Sequence, residues 1–243
     1  LAREQVSDEA AERIADAMAE IHDVLLGEGD KVLDILFIGD CIHLDVMAFI
    51  TGPCLEDQIS IRPCFATSKN PAELGRHLRS LSDRKFDVVF YSPLSYEFDI
   101  RYAELIRPSA ALKKGSEIDA IVDEAVASID RQLDLIEGLF DCPIHVHNTA
   151  NVLREESDWR RKVKTLLTRR TRQRAAVRVD GQLREIIKEK NSRGFQHIFL
   201  VDELEMARSA EESSLGAYIY RSDLQHPCRF SQIVAREYTD ILS

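Results

Sequence analysis

The stretch LFIGDCIHLDV, Leu36 to Val46, contains the feature that decides the fold. An apolar run without alternation ends at Gly39, which is typical of a strand buried on both faces, as in a parallel sheet. Asp40, Cys41 and His43 follow directly. A buried strand followed by a polar turn and a helix is how many α/β enzymes present a nucleophile, but it is also an ordinary connection in a parallel sheet. The rest of the sequence is needed to distinguish the two.

Further along the chain, other apolar runs predict four more strands, and helical sequence separates most of them. The predicted strands are ISIRPCFAT (59–67), FDVVFYSPL (86–94), CPIHVHNTA (142–150) and HIFLVDE (197–203). The predicted helices are Ser7 to Leu26, Pro71 to Leu81, Ser116 to Phe140, and a last one that starts near Pro227. Five apolar strands alternating with helices predict a flavodoxin-like three-layer α/β sandwich with a five-stranded parallel sheet.

The length of 243 residues fits one large domain, residues 1–243, which begins with the helix over 7–26. The long gap between the fourth and fifth strands, about 151–194, predicts a basic helical insertion, in the form of a helical hairpin. The chain begins with Leu, so we expect it to be a piece of a longer polypeptide.

The five cysteines are odd in number and scattered, which favours free thiols in a reducing cytoplasm. No apolar run reaches the ~20 residues that span a bilayer, and no signal peptide is visible. The two glycine-rich nucleotide-binding patterns are missing, so we expect no cofactor. His145 and His147 share one face of a strand, but without a third ligand at a telling spacing a packed role is favoured over a metal site.

The charge is distributed unevenly along the chain. Between Arg160 and Arg178 nine residues are Lys or Arg and none is acidic, which leaves the remainder at −19 within a net charge of −10. Such a block is most often a solvated or disordered face, and otherwise an anion-binding surface. The overall acidity and the single Trp159 disfavour nucleic acid as a partner.

Polar residues follow three of the predicted strands: Asp40 and Cys41 after the first, Ser92 after the third, and His147 and Asn148 at the end of the fourth. In doubly wound sheets the carboxyl ends of the strands meet at one edge, where ligands bind.

A fourth polar feature, SDLQHP, precedes the last predicted helix. Asp223 and His226 are three residues apart there, a spacing at which an Asp can orient a His. Since the last helix of such a fold begins at the same edge, Cys41 and His226 are expected to meet.

FIGDC followed by a distant DLQHP resembles the SGNH (GDSL-type) hydrolase superfamily over nearly the whole chain. The resemblance implies that Cys41 takes the place of the serine nucleophile, His226 that of the general base and Asp223 that of the orienting acid. Gly39 and Asp40 would shape the nucleophile turn. A thiol at a helix N-terminus beside an imidazole is favoured as thiolate.

This sequence departs from the superfamily pattern where the oxyanion hole is built. The Gly-x-Asn-Asp block after the third strand is replaced by SPLSYEFD, and no block-two glycine follows the second strand. Ser92, Ser95 or Asn148 is the candidate that would substitute. The chain also resembles, more loosely, the SGNH-like region before the phosphatase-like domain of some FkbH-like proteins, which load acyl units onto carrier proteins.

These resemblances predict acyl transfer, or hydrolysis of an ester or thioester, with an acidic carrier protein or a phosphorylated thiol as partner. Arg160, Arg161, Arg169 and Arg170 would bind its anionic groups, because guanidinium pairs phosphate bidentately. An idle docking module and a plain esterase or deacetylase remain as alternatives. Cys41 as buried filler has about even odds with the nucleophile, and Asp223 and His226 singly would only cap the last helix. His43 and Asp45 are expected to face solvent.

Overall fold

A computed structural model describes residues 31–39, 43, 46–47, 49–50, 59–67, 71–93, 104–105, 112–148, 159–193, 197–209 and 228–243. Within these ranges the side chains of residues 71, 159–162, 164–169, 172, 207–208 and 228–230 are outside the description. The predicted helix over 7–26 also lies outside the described residues.

The prediction of a five-stranded, all-parallel sheet is confirmed. The strands are β1 (Lys31–Ile38), β2 (Ile59–Ala66), β3 (Val88–Tyr91), β4 (Ile144–His147) and β5 (Ile198–Val201). Their order is β2-β1-β3-β4-β5, and every neighbouring pair is parallel. This strand order is the flavodoxin-like one.

Five helices are described around the sheet. They are α1 (Pro71–Ser80), α2 (Gly115–Leu139), α3 (Trp159–Ser192), α4 (Glu203–Ser209) and α5 (Cys228–Leu242). The predicted helices over 71–81 and 116–140 and the one near Pro227 are thus found within a residue or two. Described residues between His43 and Ile50 are helical as well.

The segment between β4 and β5 differs from the expected hairpin. Residues 159–192 form one uninterrupted helix of 34 residues, α3. Gly181 lies in its interior, where a Cβ added to the glycine would have no atom within 4 Å. The chain has no proline in this stretch, so nothing forces a break. The helix is therefore the β4–β5 crossover itself.

Each face of the sheet has its own core. One core joins α1, α2 and α3 to side chains of the sheet such as Leu36, Tyr91 and Val146, and α2 contributes a buried stripe of seven residues. The other core joins α5 and the helical residues after β1 to Phe37 and Phe90. Both cores reach the sheet because β1 and β3 carry apolar side chains on both faces, so the sheet is the middle of three layers.

Candidate functional site

The carboxyl ends of the strands lie side by side, as the sequence predicts. The backbone N–H of Ser92 donates to the carbonyl oxygen of Ile38 at 2.8 Å, and that of Asn148 donates to Val201 at 3.3 Å. Gly39 donates its N–H to Ala66 at 3.2 Å. The residues after β1, β3 and β4 are therefore held at one edge of the sheet.

Gly39 sits where the chain leaves β1 and has little room around its Cα. A Cβ there would lie 2.9 Å from Nε2 of His43 and 3.1 Å from the carbonyl oxygen of Ser92. Its φ of +156° is also one that L side chains rarely adopt. Position 39 thus requires glycine, and the role of Gly39 in a nucleophile turn stays a prediction.

The predicted catalytic residues Cys41, Asp223 and His226, and the turn residue Asp40, lie outside the described residues. Gly39 and His43, on either side of Cys41, and Cys228, two residues after His226, are described. Nζ of Lys31, at the start of β1, donates to the carbonyl oxygen of Leu242 at 3.0 Å, so the end of α5 lies at the amino edge of the sheet. Because α5 runs antiparallel to β1, its first residue, Cys228, lies on the side of the carboxyl edge.

His43 does not face solvent, so that expectation is wrong. Its side chain is 1% exposed, and Nε2 makes a hydrogen bond of 3.0 Å with the carbonyl oxygen of Ile38. The ring packs 5.3 Å from the Phe37 ring, centroid to centroid. The helical turn after β1 folds back over the sheet and carries His43 under the Gly39 turn, where hydropathy alone gives no sign of it.

His43 belongs to a set of four polar side chains that we call the buried network: Glu203, His147, Tyr238 and His43. Oε1 of Glu203 lies 2.6 Å from Nδ1 of His147, and Nε2 of His147 lies 2.5 Å from the Tyr238 hydroxyl. The same hydroxyl lies 3.2 Å from Nδ1 of His43. All four side chains are at most 3% exposed, so this chain of hydrogen bonds runs through the interior.

Tyr238 is the centre of the buried network and projects from α5 onto the sheet. Its ring stacks on Phe90 with centroids 3.8 Å apart. Burial, and secondarily the charge of Glu203, raise the pKa of the Tyr238 hydroxyl well above its usual range. It therefore stays a phenol, able to donate one hydrogen bond and accept another.

Asn148 has a different role from the predicted one. Its Nδ2 donates to Oδ1 of Asp180 at 2.9 Å and to Oδ1 of Asp202 at 2.7 Å, while its Oδ1 accepts from the N–H of Leu204 at 3.2 Å. Both amide hydrogens are thus used within the protein. The Asn148 side chain ties the ends of β4 and β5 to α3, and this arrangement argues against it as an oxyanion donor.

The hydrogen bonds at Asp202 are strong enough to change its ionisation. Burial works to raise the pKa of this carboxyl, but hydrogen bonds from Asn148, from the N–H of Glu205 and from Arg184 outweigh burial, so the pKa is lowered. Arg184 also bonds Asp180 at 3.0 Å. Asp202 is held ionised as part of a satisfied structural cluster.

The basic block lies at the N-terminal end of α3, on the side of the candidate site. Two of its nine charges are paired with α2, Arg174 with Asp119 and Arg178 with Asp123. These pairs show that α2 and α3 run parallel, and Arg174 lies beside Gly115, the first residue of α2. The same pairing sets Arg170 level with Gly115, so the first 11 residues of α3 extend about 16 Å beyond α2 at 1.5 Å per residue.

The N-terminal part of α3, residues 159–173, is called the basic arm below and contains the other seven Lys and Arg residues of the block. Arg170 is exposed on it. The side chains of Arg160, Arg161 and Arg169 lie outside the description. The prediction that these four residues bind an anion stays a prediction.

Two negative expectations can be compared with the described residues. His145 and His147 are both packed in the interior, at 9% and 0% exposure, and no group of three metal-binding side chains occurs among the residues that the structure describes.

Burial raises the pKa of the Cys142 thiol to about 11, with smaller contributions from Asp141 and Asp87. None of the described helices is long and apolar enough to cross a membrane.

Sequence reasoning missed His43, Glu203 and Tyr238 as a connected set. A signal for two of them exists, because Glu203 follows β5 by two residues and His43 follows β1 by five, so the strand-end rule that selected Ser92 also applies to them. Tyr238 carries no such signal: it lies in the middle of an amphipathic helix, where an aromatic residue is read as core.

Comparisons of the sequence are negative: no family model and no curated protein matches the chain. Solved structures are similar in fold. The N-terminal part of the protein BF1531 from Bacteroides fragilis, which contains a phosphatase domain and is complexed with Mg, matches with a TM-score of 0.52 at 13% identity. The match covers 87% of this chain and 52% of that one, so this chain spans about half of its length.

Two further structures match less well. The acetylxylan esterase Axe2 from Geobacillus stearothermophilus has a TM-score of 0.47 at 16% identity, over 88% of this chain and 95% of that chain. The salicylyl-acyltransferase SsfX3 from a tetracycline biosynthetic pathway has a TM-score of 0.48 at 10% identity, over 85% and 52%. At these identities the likenesses establish the α/β fold alone, and the two scores below 0.5 carry no argument.

Proposed function

We propose that the chain is an acyl-transfer enzyme with an SGNH-like site, in which Cys41 is the nucleophile, His226 the general base and Asp223 the residue that orients His226. The observation that carries the proposal is the placement of the two motif neighbours. Gly39 ends β1 at the carboxyl edge, and α5 begins at Cys228 on the side of that edge. Cys41 and His226 each lie two residues from these described positions.

The chemistry follows from these groups. His226 takes the proton of the Cys41 thiol, and the thiolate forms a bond to the acyl carbonyl carbon. The bond to the alcohol or thiol leaving group breaks, and that group leaves with the proton from His226. The acceptor then gives its proton to His226, attacks the thioester and releases Cys41. Ser92, which is 4% exposed at the end of β3, is the candidate for stabilising the oxyanion, and Gly39 and Asp40 shape the turn.

The basic arm gives the proposed substrate class. An acyl group carried on an acidic carrier protein, or on a phosphorylated thiol such as coenzyme A, would be attracted by seven cationic residues that extend beyond the sheet on the side of the site. Arg160, Arg161, Arg169 and Arg170 are the proposed phosphate-binding residues. The structural neighbour from Bacteroides fragilis that carries a phosphatase domain agrees with the FkbH-like resemblance, in which an SGNH-like region precedes such a domain.

A second candidate is an idle docking module of a larger biosynthetic protein. The observation that favours it is the use of both Asn148 amide hydrogens within the protein, since the oxyanion hole then lacks one predicted donor. A plain esterase or deacetylase is the third, and it would need no basic arm.

The test uses acetyl coenzyme A and p-nitrophenyl acetate as acyl donors. We expect a covalent acetyl adduct on Cys41 by mass spectrometry, and no adduct on the Cys41→Ala variant. The same adduct on Cys41→Ala would show the assignment to be wrong. Neutralising Arg169 and Arg170 to Gln should slow acylation by acetyl coenzyme A and leave p-nitrophenyl acetate unaffected; equal rates with both donors would favour the plain esterase.

Thiol reactivity separates the enzyme from the idle module. Cys142, with a pKa of about 11, is a reference within the same chain that stays protonated at neutral pH. An activated Cys41 should react with iodoacetamide much faster than Cys142 at pH 7. A Cys41 no more reactive than Cys142 would favour the module.

A further inference from the structure

The buried network carries a fixed number of protons, which follows from its last bond. The Ile38 carbonyl can only accept, so Nε2 of His43 must donate to it. The four bonds from Glu203 to Ile38 then need four protons. A carboxylic acid, two neutral imidazoles and a phenol supply four protons. A carboxylate, one imidazolium, one neutral imidazole and a phenol also supply four.

Every arrangement that fills the four bonds is therefore neutral overall. If one proton were removed, one of the four bonds would have two acceptors and no donor. Leaving a buried polar group without a partner costs more free energy than a typical hydrogen bond contributes. The network is thus held together as one unit, with Glu203 from α4, His147 from β4, Tyr238 from α5 and His43 from the helical turn after β1.

One end of this unit touches the turn that leads to Cys41. Nε2 of His43 bonds the carbonyl of Ile38, and the same atom lies 2.9 Å from where a Gly39 Cβ would be. The turn is therefore set directly on the His43 ring. The His43 ring is in turn held by the Tyr238 hydroxyl, which is anchored to β4 and α4 through His147 and Glu203.

We propose that Glu203, His147, Tyr238 and His43 are positioning residues: their hydrogen-bonded unit fixes the Gly39 turn, and through it the sulfur of Cys41. This inference rests on the proposed function for its catalytic consequence, but the positioning of Cys41 can be measured without any acyl substrate.

The test compares two tyrosines that are both fully buried and both donate or accept through their hydroxyl. Tyr238→Phe removes the hydroxyl that joins the two imidazoles and keeps the ring that stacks on Phe90. Tyr91→Phe is the matched control, because its hydroxyl bonds Oε1 of Gln132 at 2.5 Å on the opposite face of the sheet. Iodoacetamide alkylation of Cys41, read by peptide mass spectrometry against Cys142, is the measurement.

We expect Tyr238→Phe to change the Cys41 alkylation rate by up to about a hundredfold, which a misplacement of about 1 Å at a reacting atom can cost, and Tyr91→Phe to leave it unchanged. With an acyl donor, Tyr238→Phe should lower kcat with KM nearly unchanged. Equal alkylation rates in the two variants, or a change in both, would overturn the positioning role.

A second pair of variants removes the dependence on one substitution. His43→Gln retains an amide N–H for the Ile38 carbonyl and should keep part of the Cys41 reactivity, whereas His43→Leu should lose it. Equal Cys41 alkylation rates in His43→Gln and His43→Leu would contradict the proposal. If the variants change Cys41 alkylation as expected but no acyl adduct forms, the enzyme assignment is wrong and the positioning role stands. If an acyl adduct forms on Cys41 but the variants leave its alkylation rate unchanged, the positioning role is wrong and the enzyme assignment stands.

Discussion

The two faces of the sheet are covered in different ways. Towards α1, α2 and α3 the core is apolar, and the ion pairs between α2 and α3 lie at its outer rim. Towards α5 the core formed by the described residues is smaller than the other, and the buried network lies on this face. The two faces therefore differ in how strictly they fix positions. An apolar layer tolerates small changes of position, whereas buried polar groups must all have hydrogen-bond partners.

The largest difference between the faces should appear when one member of the buried network is removed. His147→Leu leaves Glu203 and the Tyr238 hydroxyl without their shared partner, and we expect a loss of about 3–5 kcal/mol in the free energy of unfolding. The control is His145→Leu on the same strand, whose ring packs between Phe90 and Phe199 and should cost far less. Urea unfolding measures both; equal losses would show that the network adds nothing beyond packing.

A pH titration of stability should single out His145 on the same face. Burial, and secondarily the charge of His147, lower the pKa of His145 from 6.5 to about 4. Below pH 6.5 the unfolded chain therefore binds a proton that the folded chain does not, so stability falls as the pH drops towards 4, by up to about 3 kcal/mol from this residue. The His145→Leu variant should lose less stability than the wild type between pH 6.5 and 4; parallel curves would contradict this.

The smallest effect is expected at the rim of the apolar face. Lys190 on α3 is 4% exposed and contacts Asp130 at 3.0 Å and Asp134 at 2.5 Å on α2. Lys190→Met keeps the apolar stem, and the carboxylates, which are about half exposed, become hydrated. We expect a loss of about 1 kcal/mol that shrinks in 1 M NaCl, because exposed partners are screened. A loss that does not depend on salt would mean that packing of the stem dominates.

The fold could be predicted from the sequence because parallel strands buried on both faces are continuous apolar runs, as in β1 and β3. The lengths of these strands were less predictable: the run 86–94 forms a strand only over Val88–Tyr91. The candidate site was predicted only as far as the strand ends. The buried network joins residues up to 195 positions apart, and its contacts depend on register and helix docking, which no local pattern contains.

Asn148 shows the same limit at a single residue. Its place after β4 was predicted, but the use of its amide depends on Asp180, which arrives from the middle of α3. His43 is the opposite case, a polar residue near a predicted nucleophile that was expected in solvent and is buried. In both, the sequence identifies the position and the tertiary contacts decide the role.

The parallel course of α2 and α3, and the antiparallel course of α5 against β1, have an electrical consequence for the whole molecule. All three long helices direct their positive dipole ends to the same pole, where the basic arm also lies. In the part of the chain that the structure describes, positive charge therefore collects at one pole of a protein whose net charge is −10.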